Sequence, residues 1–172
     1  MIDDERLKLA SSEEEIQAIY HEVRAKNDFV NFTRRFVYSN DDRVARFALW
    51  AMTKATDKEL AQLQDMLHEL IELALSTNNS SVRRLSLTII ERLKIGEEDL
   101  RTDFLDFCLE HMADVEELPG IQTLCMKLAY RMCKFYPELM SEFMCIVETM
   151  HIDFYKPAIV GLRKKVLSGK LK

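Results

Sequence analysis

The feature that most constrains this chain is a recurrence. Val44, Val82, Ile121 and Ile159 stand 38, 39 and 38 residues apart, and each opens the same apolar pattern. Three residues on, the column reads Phe47, Leu85, Leu124 and Leu162. Seven on it reads Ala51, Ile89, Leu128 and Val166, and eight on Met52, Ile90, Ala129 and Leu167. Apolar residues at i, i+3, i+7 and i+8 line one face of an α-helix. Four such faces at a single period predict a stacked array of helices. Second stripes fill the intervals: Leu60, Leu63, Leu67, Leu70, Ile71 and Ala74; then Leu100, Phe104, Phe107 and Cys108; then Leu139, Phe143, Ile146, Val147 and Met150. Each repeat therefore reads as a pair of helices that must stack on neighbours to bury its apolar face.

Composition excludes the alternatives. Only four Gly and three Pro occur among 172 residues, about a third of the roughly 12% usual for these two types. A sheet protein needs tight turns, and tight turns need Gly. A nucleotide-binding α/β fold needs glycines in its phosphate loop.

Helix starts are marked along the chain. Ser12 and Glu15 form a capping box that opens a helix to about Ala25, and Asn27 is placed to cap a second through Phe29, Phe32, Phe36 and Val37. Asn40-Asp41-Asp42 starts a third and the Thr56/Glu59 capping box a fourth. Asn78-Asn79-Ser80 starts a fifth, which is expected to stop at Gly96. Glu97-Glu98-Asp99 reads as the acidic first turn of a sixth, and Pro119, Pro137 and Pro157 as first-turn prolines of the last three. The expectation is an all-α fold, a short right-handed α-α superhelix of about nine helices in a single domain over 1–172. Residues 1–38 would cap the array, 40–168 form the repeats and 169–172 the tail.

The local wording resembles the HEAT and armadillo superfamily. Asp42-Arg43-Val44-Ala45-Arg46-Phe47-Ala48 and Ser80-Ser81-Val82-Arg83-Arg84-Leu85-Ser86 look like its D-x-x-V-R-x-x-A first helix. The third repeat departs, with Gln122 and Thr123 where Arg is expected, and the fourth keeps only its first helix. Lys127 to Lys165, with a Tyr136-Pro137-Glu138-Leu139 corner, resembles small bacterial HEAT-like repeat proteins, some of which carry the name adenylosuccinate lyase. That enzyme's Ser-rich flexible loop has no counterpart here, since the Ser pairs Ser11-Ser12 and Ser80-Ser81 sit at helix starts. The resemblance implies a solenoid that binds protein partners. It also implies an alternative, because HEAT-like DNA glycosylases grip phosphate with basic residues; a basic groove with Trp and Asp at its centre would mark that reading.

No catalytic constellation stands out. His68-Glu69-Leu70-Ile71-Glu72 has Glu where the zinc motif H-E-x-x-H needs its second His. Cys108 and His111 lie three apart on one helix, but a metal site needs three or four ligands. No cofactor and no metal are expected. Cys108, Cys125, Cys133 and Cys145 form no C-x-x-C pair and read as reduced, buried thiols of a cytoplasmic protein. The acidic start Met1-Ile2-Asp3-Asp4-Glu5 is unlike a secretory signal, and no apolar run approaches the roughly 20 residues of a membrane span.

With 24 Lys and Arg against 29 Asp and Glu, the net charge is −5, which argues against nucleic acid as a partner and leaves a protein or peptide. Nine acids against the single Arg101 lie between Glu97 and Glu117, whereas the tail from Lys156 has six cations and no acid. The candidate binding surface is Arg43, Arg46, Trp50, Arg83 and Arg84. The arginines read as inter-repeat partners of acids or as a backbone-binding stripe. Trp50, whose column continues as Thr88, Lys127 and Lys165, reads as a cover for Phe29, Phe32 and Phe36 or as a binding anchor. The binding groove itself is expected on the layer of second helices. Leu85 and Ile89 are expected in the core, with Leu87 in a less buried column.

Overall fold

Helix starts in the computed structural model, which describes residues 1–171, follow the capping groups closely. Asp3 caps α1 (Asp4–Leu9), accepting the Arg6 N–H at 2.9 Å; this first helix has no counterpart in the sequence expectation. The Ser12/Glu15 box opens α2 (Glu13–Lys26). Asn27 does not cap the next helix. It takes the left-handed conformation, φ 47°, and closes α2 instead, a conformation Asn tolerates better than most residues. Then α3 (Phe29–Phe32) widens into a π turn over Thr33–Val37. Asp41 opens α4 (Asp42–Thr53). The Thr56/Glu59 box opens α5 (Asp57–Leu60), which passes through a 3-10 stretch, Ala61–Met66, into α6 (Leu67–Ser76).

Asn79 opens α7 (Ser80–Arg92), which ends before the expected Gly96. The acidic run Glu97–Asp99 is a separate 3-10 turn, because the Asp99 carboxylate turns back to accept the Gly96 N–H at 2.8 Å. The sixth expected helix begins later, as α8 (Thr102–Ala113). Pro119, Pro137 and Pro157 take the first turns of α9 (Pro119–Cys133), α10 (Pro137–Thr149) and α11 (Pro157–Leu167). A proline's missing N–H costs nothing in a first turn. Gly169, at φ +71°, ends α11. The described residues contain helices and turns but no strand.

Two compact units are distinguished, Met1–Lys94 and Ile95–Lys172. In the first, α7 packs between α4 and α6, while α1, α2 and the π turn pack on α4. The repeat columns form its core: Val44, Phe47, Ala51 and Met52 on α4, and Val82, Leu85, Ile89 and Ile90 on α7, are all buried. Leu49 and Leu87 are fully buried too, so the column expected to be less buried is core. A first helix that packs against another first helix and against the second layer buries two stripes rather than one. Each such leucine contributes about 1.5–3 kcal/mol by leaving water. The second stripe from Leu60 to Ala74 is buried throughout.

In the second unit, α8 packs along α9, and α10 and α11 pack on α9. Ile121, Leu128, Ala129, Ile159, Leu162 and Val166 are buried, Leu124 is half-buried and Leu167 is 40% exposed. The second layer is less covered here. Phe104, Cys108, Phe143, Val147 and Met150 are buried, but Leu100, Phe107, Leu139 and Ile146 are only half-buried. Cys145 is exposed rather than buried. It lies two residues from Phe143, so helix geometry turns it away from the core face.

Candidate binding grooves on the first-helix layer

One structural device recurs at the repeat joints. A long donor on a first helix clamps the carbonyls that end the preceding second helix. Arg83 donates from Nε to the Ala74 carbonyl at 2.9 Å and from its terminal nitrogen to the Thr77 carbonyl at 2.6 Å. Gln122 stands one repeat later in the same column. It is 2% exposed and donates to the Asp114 carbonyl at 2.7 Å. Arg163, one turn further along α11, donates to the Val147 carbonyl at 2.8 Å. Arg83 is thus a clamp on the end of α6 through backbone carbonyls. The third repeat's departure to Gln keeps the clamp.

The other candidate residues have different surroundings. Arg43 is exposed on the first turn of α4. Arg46 and Arg84, also exposed, line a groove of about 260 Å³ between α4 and α7 with Trp50, Thr53, Leu85 and Thr88. Trp50 is half-buried there. Its ring sits 6.2 Å from Phe47, and the Lys54 ammonium lies 5.9 Å from its centroid. Phe32 and Phe36 pair with each other at 5.2 Å, and Phe29 pairs with Tyr20 at 6.4 Å, while the ring partner of Trp50 is Phe47. Helix spacing explains this, because Trp50 follows Phe47 by one turn on the α7-facing edge of α4. Arg46 lies over the Phe47 ring at 5.4 Å. Among the described residues, no carboxylate forms an ion pair with Arg43, Arg46 or Arg84, and none lines the groove.

A second groove occupies the equivalent register of the other unit. Thr123, Lys127, Pro157, Ala158, Gly161, Leu162 and Lys165 enclose about 380 Å³ between α9 and α11. Lys127 and Lys165 stand in the Trp50 column. They too lack a carboxylate partner among the described residues, and this groove also has no acid in its wall. Sequence reading named this column, Thr88 included, and placed Leu85 in the core, but did not see either as a groove wall, and it did not single out Thr53. Register alone carries that signal, because Arg46 and Arg84 are one period apart. A groove on the second layer, where binding was expected, occurs in the second unit: Leu100, Leu105, Asp106, Leu109, Leu139 and Glu142 are among its walls.

The motifs weighed for metal do not converge. Glu69 pairs with Arg34 at 3.4 Å. Cys108 is fully buried; burial, then the bond to Cys125, pushes its thiol far above the ordinary range. His111 instead meets Glu117 at 2.6 Å and stacks on Phe107 at 3.9 Å. No helix among the described residues is long and apolar enough to cross a membrane.

The paired helices, the recurring columns and the clamps at each joint define an α-helical repeat protein. A family model for the HEAT repeat domain matches residues 4–170, and the chain belongs to that family. No curated protein and no solved structure matches it.

Proposed function

We propose that this chain is a non-enzymatic interaction module that docks a peptide or helix of a protein partner in the groove between α4 and α7. The observation that carries this reading is Trp50, a large ring half-buried in a concave wall between two guanidiniums that no carboxylate engages among the described residues. Trp and Arg dominate interface hot spots, above all in pockets that exclude water. The four free cysteines, three of them buried, suit a reducing compartment and support a cytoplasmic setting. We read the whole of 1–172 as one functional domain, with its N-terminal helices capping the repeats.

The alternative is a nucleic-acid-binding or repair protein of the HEAT-like glycosylase kind, which the same guanidiniums favour. Its mark is a groove with Trp and Asp together. Here Trp50 is present without any carboxylate in the wall, which favours docking over base excision. Affinity purification with the wild-type chain and with Trp50→Ala, followed by mass spectrometry, tests the reading. A partner retained by the wild type should be lost from the variant, whose melting temperature should stay near the wild type. The same partners on both proteins would overturn this use of the groove.

A further inference from the structure

We propose that the docked partner segment is acidic: an Asp- and Glu-rich stretch of polypeptide carrying an apolar side chain. Each unit provides one groove for such a segment. The inference rests on the interaction-module reading and deepens it.

The net charge of −5 hides a strong division between the two layers. In the first unit, α4 and α7 carry Arg43, Arg46, Arg83, Arg84 and Arg92 against Asp42 and Glu91. The second-layer stretch Asp57–Ser76 carries five acids against Lys58 alone. In the second unit, α9 and α11 carry Lys127, Arg131, Arg163, Lys164 and Lys165 and no acid at all. Their second-layer counterparts α8 and α10 carry six acids and neither Lys nor Arg. Cations therefore gather on the first-helix layer, which holds these two grooves. Some serve the fold, as Arg83 and Arg163 do in clamping carbonyls. Arg46, Arg84, Lys127 and Lys165 do not: they line the grooves and meet no acid among the described residues.

Charge complementarity then fixes the occupant. A guanidinium presents a planar fork that matches a carboxylate bidentately. Trp50 and Leu85 offer an apolar wall between Arg46 and Arg84, so an apolar side chain flanked by acids meets every surface of the first groove. Duplex DNA fits less well. Strong backbone binding takes about 6–10 phosphate contacts, whereas each groove offers two unpartnered cations. The second layer would also repel a polyanion reaching past the groove. A short acidic segment avoids that layer, because beyond about 8 Å in physiological salt its charges are screened.

The chain's single tryptophan lies in the first groove, so its emission reports occupancy directly. The probe is a labelled peptide of Asp and Glu around a central Leu, titrated against the full chain by anisotropy and by Trp50 emission. Its Asn/Gln counterpart and a labelled DNA duplex are run beside it. The acidic peptide should bind, shift Trp50 emission and weaken with salt. Arg46→Gln and Arg84→Gln should each lower its affinity about threefold to fivefold, as should Lys127→Gln and Lys165→Gln for the second groove. Arg46, Arg84 and Lys165 are exposed and Lys127 is half-buried, and unchanged melts would confirm folded variants.

Equal binding of the Asn/Gln peptide would overturn the acidic assignment and leave the interaction module standing. Tighter binding of the duplex, lost in the same variants, would overturn both. Failure of the acidic peptide to bind, or binding indifferent to all four substitutions, would overturn the inference.

Discussion

The two units build the same helix pairs with different local chemistry. In Met1–Lys94, side-chain caps start five of the helices: Asp3, Ser12, Asp41, Thr56 and Asn79 each accept a backbone N–H of the first turn. In Ile95–Lys172, three helices start with proline and without a side-chain cap. A cap satisfies an orphan donor and is worth about 1 kcal/mol. A first-turn proline removes one donor and narrows the unfolded ensemble. The joints vary too, with Arg83 clamping two carbonyls in the first unit, and Gln122 clamping one and Arg163 two in the second. What stays constant is the register of the apolar columns. The repeat is therefore specified by packing, and caps and clamps are exchangeable.

The largest expected effect tests that claim at the core. Ile89→Ala in the first unit and Leu128→Ala in the second, one period apart in the same column, remove side chains at 1% and 0% exposure, and each should cost about 2–5 kcal/mol in denaturant unfolding. Comparable losses would show that the columns are equivalent between units. A loss under about 1 kcal/mol at either position would break the comparison.

The architecture was legible in the sequence because it depends on period and caps. The columns from Val44 to Ile159, the boxes at Ser12 and Thr56, the cap at Asn79 and the three prolines all do in the structure what their spacing implies. The misses share a cause: residues with two local options that only tertiary context decides. Asn27 can begin a helix or end one. The Glu97–Asp99 run can open a helix or close its own turn, and the Asp99 bond to Gly96 takes the second course. Leu87 lies beside the strongest stripe, and only a second neighbour buries it. Trp50 read as a cover for the N-terminal phenylalanines or as an anchor, and its ring lines the groove between α4 and α7. Its groove depends on α4 and α7 lying side by side, and the period implied that adjacency without showing which edge stays open.

The clamps come next in size. Arg83→Ala should cost about 1.5–3 kcal/mol, because it removes charge-assisted bonds to two carbonyls at a partly buried helix end. Gln122→Ala should cost about 1 kcal/mol for one neutral bond. Amide exchange should quicken at the end of α6 in the first variant and at the end of α8 in the second. Arg83→Gln should recover part of the loss, since Gln serves in that column one repeat later. If Arg83→Gln were no better than Arg83→Ala, the two clamps would not be equivalent devices.

The smallest effect concerns acid. Burial alone would raise the pKa of Glu59, but the bond from the Thr56 N–H at 2.9 Å and that from the Tyr20 hydroxyl at 2.7 Å outweigh it, with Arg24 adding to them, and hold the carboxyl below its ordinary value. The bond from Arg101 does the same for Asp103 in the second unit. A carboxyl depressed in the folded state binds its proton less readily there than in the unfolded chain. Both groups therefore stabilise their units fully above the ordinary carboxylate range, near pH 4. That contribution fades as pH falls through the lowered folded values, where the unfolded chain takes up the proton first. Glu59 has a side chain only 15% exposed and joins α2 to the start of α5, whereas the Asp103 side chain is 56% exposed. Water screens Asp103 more strongly. Melts between neutral pH and about pH 3 should thus show the acid limb flattened more by Glu59→Gln than by Asp103→Asn. The reverse order would mean that the second unit, despite its proline-started helices, carries the more acid-sensitive joint.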